Sequence, residues 1–191
     1  MSKITNITIV GVGGQGVLLA SEIVSLAALK KGYDVKKSEV HGMAQRGGSV
    51  VSNVRFGEKI YSPIIAEGEA DILLAFEKLE ALRSLIYLKN KGDIITSTQK
   101  IEPMPVGLGK EKYPDNIIKK LNNSGYNMKF IRALELAREA GSQKTINTVL
   151  IGALSNLLAI GEKYFIEALD EIVPEGTEDI NMRAFKLGKN N

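Results

Sequence analysis

Apolar and polar positions along this 191-residue chain follow two periods, and each change of period marks an element. Ile4–Val10 is an apolar, β-branched run with loose alternation, the pattern of a strand buried on both faces. Val17–Lys31 carries apolar residues at Ala20, Ile23, Val24, Ala27 and Ala28, which is helical spacing. Lys30 and Lys31 suit its C-terminal dipole end, and Gly32 stops it. Asp34–Val40 reads as a second strand, so the opening predicts a β-α-β unit with a right-handed crossover. Ser49–Phe56 alternates, with Val50, Val54 and Phe56 on one face and Asn53 and Arg55 on the other. Gly57-Glu58 can form a two-residue turn into Lys59–Ser62, which predicts an antiparallel hairpin. Ala70–Phe76 is a buried strand. Glu77–Leu88 is a helix with Leu79, Leu82 and Ile86 inward, closed by Gly92, and Asp93–Ser97 is a further strand.

From Thr98 to Tyr113 the chain has no period and holds Pro103, Pro105, Gly107 and Gly109, the signature of a connecting loop. Pro114 opens a short helix ending near Asn122, and Met128–Ile131 is a short strand. The last third is helical. Leu134–Ala140 precedes Gly141, Thr145–Ile160 is apolar nearly all round and therefore buried, and Lys163–Val173 and Glu178–Leu187 are amphipathic. The pattern predicts one domain, residues 1–191, of the α/β class: a mostly parallel, Rossmann-like sheet with an inserted antiparallel hairpin and a helical C-terminal third. Ligands in such folds bind beyond the carboxyl ends of the strands.

Two glycine-rich loops fall at that edge. After the first strand, Gly11, Gly13 and Gly16 are spaced as G-x-G-x-x-G. Backbone N–H groups at such a turn and at the following helix start capture anions. The acidic residue that would hold a ribose has no clear counterpart, since Glu39 comes late. The competing reading is that the glycines only let strand and helix pack closely. After the second strand comes His41-Gly-Met-Ala-Gln-Arg-Gly-Gly-Ser49. Arg46 can hold a carboxylate or phosphate bidentately, assisted by nearby backbone N–H groups, or it can pair with a local acid. His41 can donate a hydrogen bond or shuttle a proton, or serve structure alone. The candidate ligand or partner site is Gly13, Gly14, Gln15, Gly16, His41, Gln45, Arg46, Gly47 and Gly48, with no catalytic residue and no metal site on this chain alone.

Composition removes other chemistries. Cys is absent, which excludes disulfides, a Cys-ligated zinc, an iron–sulfur cluster held by this chain and a cysteine nucleophile. A single His argues against a histidine metal site, and a net charge of +3 without a basic arm gives no nucleic-acid signal. G-x-S-x-G and the P-loop pattern are both missing. No signal-peptide pattern and no apolar run of ~20 residues occur, which points to the cytoplasm and away from a membrane. Gly92-Asp93-Ile94 with Asn122-Asn123 imitates a thiamine diphosphate motif, but its third Gly is missing and Asp93 starts a predicted strand.

Gly13-Gly-Gln-Gly16 followed by Val-Leu-Leu-Ala, together with the Arg46-Gly-Gly loop, resembles the gamma subunit or domain of 2-oxoacid:ferredoxin oxidoreductases. Within that family, Glu39-Val-His-Gly-Met-Ala-Gln-Arg-Gly-Gly-Ser49 looks most like the small (beta) subunit of indolepyruvate:ferredoxin oxidoreductases. The likeness extends to Glu69–Glu77, Asn147–Gly152 and Asn181–Gly188. It implies oxidative decarboxylation of a 2-oxoacid, indolepyruvate or another arylpyruvate, to an acyl-coenzyme A. In this picture thiamine diphosphate, magnesium and 4Fe-4S clusters sit on a large partner subunit, coenzyme A is co-substrate and ferredoxin is electron acceptor. This chain would then be an accessory subunit, inactive alone. Its alternatives are a free-standing nucleotide-binding oxidoreductase and a purely structural assembly subunit. An apolar docking face is expected at Ile166, Leu169 and Ile172, or at the Tyr61–Ile65 strand end.

Overall fold

The first strand, β1 (Thr5–Val12), lies between an antiparallel and a parallel neighbour in the computed structural model, which describes residues 4–41 and 48–191. With β2 (Asp34–His41), β3 (Ser49–Gly57), β4 (Ala70–Ala75), β5 (Leu88–Ser97) and β6 (Asn127–Ile131) it forms one sheet of order β2-β3-β1-β4-β5-β6. β1, β4, β5 and β6 are parallel, and β3 is antiparallel to both β1 and β2. The expected mostly parallel α/β sheet with an antiparallel insertion is present.

The partner of the insertion differs from the expectation. β3 pairs with β2, so the hairpin is built from the second and third strands. With β1 on its other side, β3 has no free edge, and Lys59–Ser62 forms no strand. That run instead crosses the sheet face. The Ile60 N–H donates to Asp34 Oδ2 (2.8 Å), Ser38 Oγ to the Pro63 carbonyl (3.3 Å), and Arg55 Nη1 to the carbonyls of Ser62 (3.0 Å) and Ile64 (2.6 Å). The β-α-β opening is modified by the same insertion: β1 and β2 run in the same direction but are separated by β3.

Helices α1 (Val17–Lys30) and α2 (Lys78–Arg83) pack on opposite faces of the sheet, joined later in the chain by α3 (Met104–Gly107), α4 (Ile117–Asn122), α5 (Ala133–Ala140), α6 (Ile146–Ser155), α7 (Glu162–Ile172) and α8 (Glu178–Lys189). One core joins Ile7, Ile9, Val54 and Leu74 of the sheet to Ile23, Leu150, Phe165 and Phe185 of the helices. The other joins Val10, Leu73 and Ile94 to Leu79 and Leu121. The strands thus carry apolar residues on both faces, as continuous apolar runs require. The expected helix Glu77–Leu88 is shorter: a 3-10 turn at Leu85–Tyr87 leaves Ile86 exposed, and Leu88 opens β5 to reach the second core. Leu169 is buried and Ile172 packs on the first core where α7 meets α1, so these two form part of the interior and not a docking face.

Candidate functional site

β1 and β4 are parallel neighbours whose helices leave to opposite faces, α1 to one and α2 to the other. A crevice opens between their carboxyl ends. Its floor is the glycine loop. Gly14 and Gly16 take φ of +96° and +82°, a region costly for residues with a Cβ. Gly11 is close-packed, since a Cβ there would stand 2.8 Å from Val17 Cγ2 and 2.9 Å from Phe76 Cβ. Gln15 folds back on the loop. Its Oε1 accepts the Val12 N–H (2.7 Å), and its Nε2 donates to the Phe76 carbonyl (3.1 Å) and to Gln99 Oε1 (3.3 Å). The close-packing role of the glycines is therefore real, and Gln15 staples the ends of three strands.

The anion-binding features stand beside it. α1 has Gly16 at its N-cap and no side-chain cap, and its first helical bond runs from the Ala20 N–H to the Gly16 carbonyl (3.0 Å). The N–H groups of Val17, Leu18 and Leu19 precede that bond and have no intrahelical acceptor. The two loops meet: the Gly13 N–H donates to the Gly48 carbonyl at 2.9 Å. The backbone of His41 ends β2 opposite Val50. Gln45, Arg46 and Gly47 lie outside the described residues.

Two hollows border the loop and a third lies close by. One of about 310 Å³ is lined by Gly13, Gly14, Gln15, Gln99 and Lys144. A second of about 440 Å³ runs past Gly16, Val17, Leu19 and Val50. A third, about 220 Å³ and mostly apolar, lies between Leu19, Val173, Pro174 and Ile180, with Lys144 again on its wall. Lys144 thus serves two hollows and is in no ion pair among the described residues. Sequence reasoning missed it because it sits in a one-turn connector, Gln143–Thr145, without periodicity. Asn147, 4% exposed, closes the wall against Gly16, where a Cβ would stand 3.1 Å from its Nδ2.

Other candidates are placed elsewhere. Glu39 is on β2, two strands from β1, and pairs with Lys37 at 2.8 Å, so it cannot read a ribose at the glycine loop. Asp93 shares a small hollow with Thr5 and Asp71 at the opposite sheet edge and accepts from Asn127 Nδ2 at 3.1 Å, so a thiamine diphosphate site does not fit there. Glu77, 1% exposed, caps α2 by accepting the Leu79 and Glu80 N–H groups, and accepts the Tyr113 hydroxyl at 2.5 Å. Burial, reinforced by that bond, pushes the Tyr113 hydroxyl far above the usual tyrosine range. Both Glu77 oxygens are engaged, which leaves it no role as a free base. No group of three potential metal ligands occurs among the described residues, and none of their helices is long and apolar enough to cross a membrane.

Residues 6–190 match the model of the pyruvate ferredoxin/flavodoxin oxidoreductase family. The chain belongs to this family. It is 46% identical over 188 residues to an indolepyruvate oxidoreductase subunit of Thermococcus kodakarensis, covering 96% of this chain and 93% of that one. Its fold is similar to the gamma subunit of a keto/oxoacid ferredoxin oxidoreductase from Geobacter sulfurreducens (TM-score 0.72, 25% identity, covering 97% and 96% of the two chains). It also resembles part of a 2-oxoglutarate:ferredoxin oxidoreductase from Magnetococcus marinus, solved with 2-oxoglutarate, coenzyme A and succinyl-CoA bound (TM-score 0.77, 22% identity, covering 100% of this chain and 31% of that one). This member of the family is a subunit of a 2-oxoacid:ferredoxin oxidoreductase.

Proposed function

We propose that this chain is the accessory subunit of an arylpyruvate-oxidising enzyme of the family, indolepyruvate being the 2-oxoacid named for its relative. Its crevice receives an anionic group of coenzyme A, and the large partner subunit carries thiamine diphosphate, magnesium and the 4Fe-4S clusters. Ferredoxin accepts the electrons of the complex, and the complex works in the cytoplasm. The observation that carries the reading is the Gly13–Gly48 bond, which ties both glycine-rich loops to one crevice. Lys144 and the uncapped start of α1 supply positive potential there. The lack of Cys supports placing the clusters on the partner. Thiamine diphosphate supplies the carbanion equivalent that attacks the keto carbon, and the buried carboxylate of Glu77 beside this crevice is already engaged in capping α2 and holding Tyr113.

In the assembled enzyme, Arg46 and the loop N–H groups hold the anion while the chain excludes water from the shared site. The test is coenzyme A titration of the subunit, alone and co-expressed with its large partner, with metal and thiamine analysis of both preparations. Saturable binding weakened by Lys144→Met supports the reading. A complex that turns over a 2-oxoacid while neither Lys144→Met nor Arg46→Ala alters its KM for coenzyme A supports the assembly-subunit alternative instead.

A further inference from the structure

The sheet ends at β2, an eight-residue edge strand without Pro or Gly. Natural edges are guarded by charged side chains, lysine above all, by Pro, by bulges or by a covering element. Here the guards are neutralised by neighbouring acids: Lys36 pairs with Asp34 at 3.4 Å, and Lys37 with Glu39 at 2.8 Å and with Glu22 of α1 at 3.5 Å. Val40 is 62% exposed on the same edge. On the sheet face next to it, the Ile60–Pro63 segment is tied to β2 at Asp34 and Ser38, with Tyr61 90% exposed. Among the described residues no backbone group bonds to the outer edge of β2, so the exposed Val40 and an open ladder lie together on the rim of the sheet.

Reversed about Ser38, the strand Asp34-Val-Lys-Lys-Ser-Glu-Val-His41 holds one complementary charge pair, Lys37 against Glu39, made twice. A two-fold axis normal to the sheet must place residues of equal parity opposite each other, because side chains alternate faces. Centring the axis on Ser38 satisfies this. Lys37 then faces Glu39 of the second copy on the α1 side, twice over. Lys36 faces Val40 on the other side, where its stem can cover the exposed valine. We infer that β2 pairs antiparallel with β2 of a second copy of this chain, with Ser38 opposite Ser38, joining the two six-stranded sheets into one. The reciprocal Lys37–Glu39 pairs set the register.

Two sets of variants test this on the full-length chain by light scattering. The wild type is expected to be a dimer. Lys37→Glu and Glu39→Lys each place like charges opposite one another at two symmetric points and should weaken dimerisation about tenfold or more. The double swap Lys37→Glu/Glu39→Lys should restore it. Ser38→Cys offers a readout independent of charge, because the native chain has no Cys. Directly opposed residues lie about 4.5–5.5 Å apart at Cα, within disulfide reach. Oxidised Ser38→Cys should run as a covalent dimer, while the exposed Lys112→Cys should not. A monomeric wild type overturns the proposal. So does a dimer that ignores the single swaps, is not restored by the double swap, or gives no Ser38→Cys cross-link beyond that of Lys112→Cys.

Discussion

Gly188 of α8 rests on the carbonyl of Val149 in α6, so closely that a side-chain carbon at Gly188 would overlap the Val149 oxygen. Gly152 of α6 meets the Phe185 carbonyl in the same way. The two helices cross backbone to backbone. Gly188→Ala or Gly152→Ala would gain helix propensity of about 1 kcal/mol, but backbone overlap has no rotamer that relieves it. Each is expected to lower unfolding free energy by about 2 kcal/mol net. Gly107→Ala, helical and in open space, should stay within about 0.5 kcal/mol of wild type. Urea titration of the three variants checks the contrast.

Arg46→Ala is expected to remove a charge-assisted bond worth roughly 1.5–3 kcal/mol, lowering kcat/KM of the reconstituted complex about ten- to a hundredfold. Arg46→Lys should rescue it only in part, since a point charge does not reproduce the guanidinium fork. Kinetics and subunit affinity measured on the same proteins separate ligand binding from a structural pairing. Normal kinetics in fully assembled Arg46→Ala enzyme would end the anion-binding reading.

Gly16→Ala tests the loop itself. Its φ of +82° costs a residue with a Cβ about 1–2 kcal/mol, and the new methyl presses on Asn147. Thermal stability should fall and coenzyme A affinity should fall with it. Gly14→Ala shares the positive φ but meets open space, so it should cost the strain alone.

The hydrogen bond from the Ile60 N–H, aided by Lys36, holds the Asp34 carboxyl below the usual aspartate range. The anchoring it gives is complete above the ordinary aspartate pKa and fades as pH falls through the lowered value. Hydrogen exchange of the Ile60 amide should therefore accelerate, beyond the intrinsic pH effect, only at strongly acidic pH. Asp34→Asn should show the loosened 60–64 segment at neutral pH as well.

The chain expressed alone should show neither 2-oxoacid turnover nor the visible absorbance of iron–sulfur clusters, and it should not retain thiamine diphosphate. Turnover by the isolated subunit would overturn the accessory role.

Local chemistry determined much of this protein. The β-branched run before Gly11, the 3.6-residue spacing from Ala20 to Ala28 and the left-handed stops at Gly32 and Gly141 each reflect short-range forces, and their elements appear as expected. The glycine loop after β1 was legible for the same reason. Strand partnership was not, because it depends on which edge is free. Gly57-Glu58 is a sound turn signal, but β3 already had β1 and β2 on either side. Whether an amphipathic stripe faces a core or a partner was equally undetermined until α7 was seen against α1, with Leu169 inside. Lys144 and Asn147 reach the crevice only because α6 packs its start against Gly16, more than 120 positions away in the chain. Contacts at such separation leave no periodic trace, so tertiary packing alone decides them.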